Sequence, residues 1–130
     1  MKSIVAKYTF GDMDVTLVTD GGPLGLELYP SGEECQGEYS PESLRQVHID
    51  GDEVSVGYAS GITMRNSMSS RELRYDGHDF IESADEKTLT VRLKSPNNRS
   101  AVLKLTHRKG ESALRVRTVF SNNSDTAVDL

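Results

Sequence analysis

A chain of 130 residues with 35% hydrophobic and 27% charged residues is the size of one domain, and its apolar positions are spread too evenly to supply a membrane span of about 20 residues. The net charge of −5 sets the average field against nucleic acid and anionic membranes, so neither is expected as a partner. Cys35 is the only cysteine, which excludes an internal disulfide, and the early apolar run is broken by Lys7, Tyr8 and Thr9 before it reaches the length of an export signal; a cytoplasmic protein is expected.

From Met1 to Tyr29 the pattern reads as short strands at Ile4–Ala6, Val15–Val18 and Leu24–Tyr29, separated by turns at Gly11-Asp12 and Asp20-Gly21-Gly22-Pro23. Gly21, Gly22 and Gly25 lack the Lys and Ser/Thr of a phosphate loop and are read as turn glycines. Pro30–Pro41 is polar and Pro/Gly-containing, which describes a surface loop of the longer, often functional kind. Ser40-Pro41-Glu42 then offers a helix cap, a proline at the first helical position and an acidic first turn, so a helical turn is expected over Ser40–Arg45. Gln46–Asp50 and Glu53–Tyr58 flank Asp50-Gly51 with matching valine and isoleucine positions, the clearest hairpin signal in the chain.

Ser69-Ser70-Arg71-Glu72 matches a capping box, but Asp76-Gly77 cuts off the segment after it, so strand, turn, strand is expected there. Beyond Asp85-Glu86-Lys87, three runs alternate cleanly. Leu89, Val91 and Leu93 form the first; Ala101, Leu103 and Leu105 the second; Leu114, Val116, Thr118 and Phe120 the third. They predict an antiparallel meander with one buried and one polar face. Ser121–Asp125 is a turn cluster, and Thr126–Leu130 reads as a further strand that stops on an apolar residue, as if the domain continued beyond Leu130. About ten short strands with little helical periodicity predict an all-β fold, an antiparallel β-sandwich, as a single domain over residues 1–130 that is incomplete at its C-terminus.

Chemistry-bearing residues are weighed against plainer roles. His78 between Asp76 and Asp79 has the composition of a metal ligand or general base, but a turn accounts for it better; His48 and His107 share no motif with it. Asp50, Asp52 and Glu53 lack the pattern of a calcium loop, and Ser60, Ser67, Ser69 and Ser70 lack a nucleophile elbow. Cys35 lies in an acidic loop, which is expected to raise its pKa. No catalytic residue, metal or cofactor is assigned. The candidate binding residues are Tyr58, Arg65 and Asn66, an aromatic face with forked donors suited to a sugar, against the alternative of a core strand satisfying buried backbone.

Three stretches carry a likeness: Leu24-Gly25-Leu26-Glu27-Leu28-Tyr29, Gly61-Ile62-Thr63-Met64-Arg65-Asn66-Ser67 and Leu114–Leu130. In these the sequence resembles the N-terminal domain of family 36 glycoside hydrolases, the bacterial α-galactosidases. The resemblance implies a galactose-mutarotase-like supersandwich followed by a (β/α)₈ barrel bearing the catalytic Asp pair, which this chain does not reach. It implies a non-catalytic accessory domain whose partners are that barrel, other copies in a homo-oligomer and a galactoside near the active-site rim. A free-standing carbohydrate-binding or mutarotase-like sandwich and a ligand-free interaction module remain the alternatives. As a fragment, the chain is also expected to self-associate.

Overall fold

The computed structural model describes residues 1–52, 55–56, 62–63 and 67–130. Strands β1 (Ser3–Phe10), β2 (Met13–Thr19) and β3 (Gly25–Pro30) form one antiparallel sheet in that order. Strands β4 (Ser55–Val56) and β5 (Ile62–Thr63) make a minimal pair, followed by the single helical turn α1 (Met68–Glu72). Strands β6 (Arg74–Glu82), β7 (Glu86–Lys94), β8 (Arg99–Arg108) and β9 (Arg115–Asn122) form the second antiparallel sheet, again in chain order. The fold is therefore all-β, two meanders facing each other across one core.

The second sheet follows its sequence alternation. Register places Leu89, Val91 and Leu93 opposite Leu105, Leu103 and Ala101, all buried, while Thr90 and Lys104 share the other face. A period of two lets every second residue leave water while the ladder satisfies the backbone. Each buried leucine contributes about 2 kcal/mol relative to exposure. The β7–β8 turn is held by the Ser95 hydroxyl, which accepts from the backbone N–H of Asn97 and of Arg99 at 3.3 Å each, with Asn98 in the left-handed region at φ 57°. Asn tolerates that conformation better than most side chains.

Val15 and Leu17 on β2, with Leu24, complete the core against these leucines. At one side the sheets are joined by rings: Tyr8 on β1 stacks on Phe80 of β6 at 4.2 Å between centroids, and Phe10 meets Phe80 edge-on at 5.9 Å. Such pairs add about 1 kcal/mol each beyond their area.

The three-stranded sheet differs in being covered on its outer face as well. Outward-pointing Asp14, Thr16 and Val18 of β2 are buried along with inward Val15 and Leu17. The cover is the segment after β3. Ser31 N–H bonds to the Asp12 carbonyl at 2.8 Å, Gly32 N–H to the Asp14 carboxylate at 3.3 Å, and Leu44 N–H to the Leu24 carbonyl at 2.6 Å. Pro41 presses so closely on Gly25 that a Cβ there would stand 2.9 Å from the Pro41 Cβ.

Five local expectations are corrected. Ser40–Arg45 is not helical, because Pro41 and Leu44 are drawn against Gly25 and Leu24 and the chain runs past them irregularly. Gln46–Asp50 is not a strand: the Val47 N–H is bonded by Ser70 Oγ at 2.8 Å, its carbonyl by Ser67 and Ser70, and the Asp50 N–H by the Asp129 carbonyl at 2.9 Å. The backbone groups a hairpin needs are thereby occupied, although the turn at Gly51 survives with φ 96°. Residues 68–72 are helical, and the cap is Ser67, whose Oγ accepts from Ser70 N–H at 3.2 Å, rather than Ser69. Asp76-Gly77 is no turn but a bulge within β6, marked by the register shift between Tyr75 and His78 and by φ 109° at Gly77. Thr126–Leu130 is not a strand; the Thr126 carbonyl is held by Asn122 Nδ2 at 2.8 Å and Ser124 Oγ at 3.0 Å.

Candidate functional site

Tyr58, Arg65 and Asn66, the sugar-binding candidates of the sequence, lie outside the described residues, as does Ser60. The two stems of that segment are described, and they are pinned together. Asp52 before it accepts from Ile49 N–H at 3.0 Å on one carboxylate oxygen and from the Ser69 hydroxyl at 2.9 Å on the other. Burial pushes the Asp52 carboxyl up, but the N–H and hydroxyl donors outweigh it and hold the group below its ordinary range. Ser67 after the segment bonds to Ser70 at 3.0 Å and to the Val47 carbonyl. Asp52 is thus a clasp rather than a calcium ligand, and Ser67, Ser69 and Ser70 are buried structural hydroxyls rather than nucleophiles. Glu53 lies outside the described residues.

A second polar cluster covers the outer face of the three-stranded sheet. Glu27 of β3 receives Lys2 Nζ at 2.6 Å and the Tyr39 hydroxyl, and the Lys2 ammonium stands 4.6 Å from the centroid of the Tyr39 ring. Burial raises the Glu27 carboxyl, and the two donors more than reverse that, leaving it below its usual value. The Tyr39 hydroxyl is pushed well up, first by burial and then by the Glu27 carboxylate. A small cavity of about 210 Å³ beside this cluster is bounded by Lys7, Glu27, Tyr29 and Cys35, among others. The expectation for Cys35 is corrected here. Its thiol is held below the ordinary range, chiefly by hydrogen bonding with the Tyr29 hydroxyl, with Lys2 adding to it; the Glu27 charge opposes but does not win. The thiol also donates to the Gly37 carbonyl at 3.8 Å, so the cluster ties the segment after β3 to that strand.

His78 belongs to neither. Its Nε2 is 2.9 Å from the Tyr8 hydroxyl and its Nδ1 2.6 Å from the Tyr75 hydroxyl, so the ring links β1 to β6. In the neutral ring one nitrogen donates and the other accepts, and the two phenols fit either tautomer. His107 instead bonds to the Glu111 carbonyl at 2.8 Å. Among the described residues, no group of three His, Cys, Asp or Glu side chains is arranged to hold a metal ion. Likewise, none of the described helices is long and apolar enough to cross a membrane.

The residues missed by sequence reasoning are the Tyr8–His78 and Lys2–Glu27–Tyr39 groupings. Their partners stand 70, 25 and 12 positions apart, and no local spacing signals them. Comparison with protein-family models, curated proteins and solved structures finds no match to this chain.

Proposed function

We propose that this chain is a non-catalytic β-sandwich domain of an α-galactosidase, working in the cytoplasm beside a catalytic barrel whose Asp pair hydrolyses terminal α-galactosides with retention. The observation that carries the reading is the order of the three resembling stretches within a two-sheet β fold. Leu24–Tyr29 enters and forms β3, Gly61–Ser67 leads to the cap of α1, and Leu114–Leu130 supplies β9 and the turn after it. The pinned stems at Asp52 and Ser67 also support it, because a loop that helps to wall a neighbouring active site needs a rigid base. On this reading Tyr58, Arg65 and Asn66 are the residues nearest a galactoside, and the protein assembles as a homo-oligomer.

The test is to read the coding region beyond codon 130 and express the whole frame. An open frame encoding a barrel, whose product cleaves p-nitrophenyl α-galactoside with retention, is the expected result. A stop codon immediately after Leu130, or a longer product inactive on α-galactosides, overturns the proposal.

A further inference from the structure

The outer faces of the two sheets carry opposite charge. On the four-stranded sheet, the positions that alternate with the buried leucines bear Arg92, Lys94, Lys104, Arg108, Arg115 and Arg117, while Arg74 at the edge turns its guanidinium to Gly22 in the β2–β3 turn of the other sheet. Two acidic residues share that register, Asp79 opposite Thr90 and Glu86 opposite Arg108. This face therefore holds six of the chain's 15 Lys and Arg and two of its 20 Asp and Glu, a balance of +4 in a chain of net −5. Arg92 pairs with Asp79, Arg108 reaches Glu86 at 3.3 Å and Arg115 reaches Glu111 at 3.8 Å. Among the described residues, Lys94, Lys104 and Arg117 have no carboxylate partner. Register sets Lys104 directly beside Arg117. Like charges placed so close cost stability unless something answers them.

The opposite side of the sandwich supplies the complement. The segment over the outer face of the three-stranded sheet exposes Glu33, Glu34 and Glu38, and no Lys or Arg occurs from Pro30 to Leu44. The carboxylates beneath it, Asp14 and Glu27, already have Lys7 at 3.6 Å and Lys2 at 2.6 Å. The three exposed glutamates are therefore surplus charge.

We propose that the basic face of β6–β9 docks on the acidic 31–42 segment of a second copy of this chain, face to back. The contact is heterologous: each copy presents one basic and one acidic side, so assembly proceeds as a head-to-tail series rather than a closed pair. Four strands about 4.8 Å apart and eight residues long give a flat footprint of about 500 Å², of the order that a standard interface covers on one partner. Val102 and Val119 stand opposite each other on β8 and the edge strand β9, an apolar pair on the same face as the cations. Linear polyanions fit less well. No aromatic ring occupies these outward positions to stack a base, and the chain's overall charge repels such a polymer. This association stands apart from the enzyme assignment above, since it uses neither a barrel nor a sugar.

Sedimentation velocity of the 130-residue chain at about 0.01 M and about 1 M salt, where the Debye length is about 30 Å and about 3 Å, tests it. The expected result is a concentration-dependent series of oligomers at low salt and a monomer at high salt. K104E/R117E and E33K/E34K/E38K, each checked for an unchanged circular dichroism spectrum, are each expected to weaken association at least tenfold alone, and their equimolar mixture to restore it. Should either variant not fold, the neutralising K104T/R117T or E33Q/E34Q/E38Q takes its place, with the same loss expected and no mixture arm. A wild-type chain that stays monomeric at low salt, variants that associate as wild type does, or a mixture of reversed variants that fails to recover overturns the proposal. Retention of a monomeric wild type on heparin, lost in K104E/R117E, overturns it as well and gives the face to a linear polyanion.

Discussion

The two sheets solve the same problem in different ways. The β6–β9 sheet buries one face and leaves the other to water, so its strands alternate and its outer side is free to carry charge. In the β1–β3 sheet the central strand β2 is buried on both faces, inward by the core and outward by the segment after β3. The central strands of the two sheets therefore differ in what an outward residue means. On β7 it faces solvent, whereas on β2 it must be small, bonded or apolar: Thr16 is 7% exposed and Asp14 6%. The Asp14 carboxylate persists there because Thr9 Oγ1 donates to it at 2.7 Å, Gly32 N–H bonds to it and Lys7 lies close.

The largest effects should fall where the sheets meet and should not distinguish them. Leu17→Ala and Leu103→Ala each remove a fully buried side chain from the shared core. Each is expected to cost about 3 kcal/mol in urea unfolding, and a much smaller loss for one of them would break the picture of a single core. The sharpest contrast comes next. Thr16→Lys puts a charge beneath the covering segment and is expected to cost on the order of 3 kcal/mol, while Thr90→Lys on the open face changes stability by less than about 0.5 kcal/mol.

Gly25→Ala tests the cover itself. Its new methyl would meet Pro41 at 2.9 Å and Val18 at 3.4 Å, so a cost of about 1–3 kcal/mol is expected, with faster proteolysis within residues 31–42 as the local sign. Thr118→Val sharpens the other side, since the Thr118 hydroxyl is buried without a hydrogen-bond partner among the described residues. Losing it is expected to raise stability by about 1 kcal/mol. The smallest expected effect is one of pH. The hydrogen bonds from Thr9 and Gly32, with the Lys7 charge, hold the Asp14 carboxyl below its ordinary 3.8. A carboxyl lowered by folding stabilises fully above its unfolded pKa and loses that contribution as pH falls through the folded value. Asp14→Asn should therefore flatten the decline in thermal midpoint below about pH 4, and an unchanged acid slope would show that Asp14 is not a source of it.

The sheets also differ in how legible they were. Leu89 to Phe120 could be read as a meander because one buried face leaves a period of two in the residues, and the register bears that reading out. The hairpin expected at Asp50-Gly51 had the same local signal, yet its ladder groups went to Ser67, Ser70 and Asp129. Those partners lie 20 or more positions away from Val47 and Asp50, beyond the reach of any pattern of neighbours. The bulge at Gly77 failed for a related reason: Asp-Gly favours a turn, but pairing with β7 on both sides of it carries the strand through. Of the site, the sequence singled out the stretch from Tyr58 to Asn66, and the described clasp of Asp52 with Ser69 that holds its base carried no local mark.

Composition and alternation by themselves determined an all-β chain, the inward leucines of β7 and β8 and the meander of the second sheet, because burial of one face writes a period into the residues. Tertiary structure alone decided that the segment after β3 folds over the first sheet, that His78 lies between two tyrosines and that six cations gather on one open face. Each of these depends on residues far apart in the chain, and contacts of that kind are fixed by packing and charge in space rather than by order along the backbone.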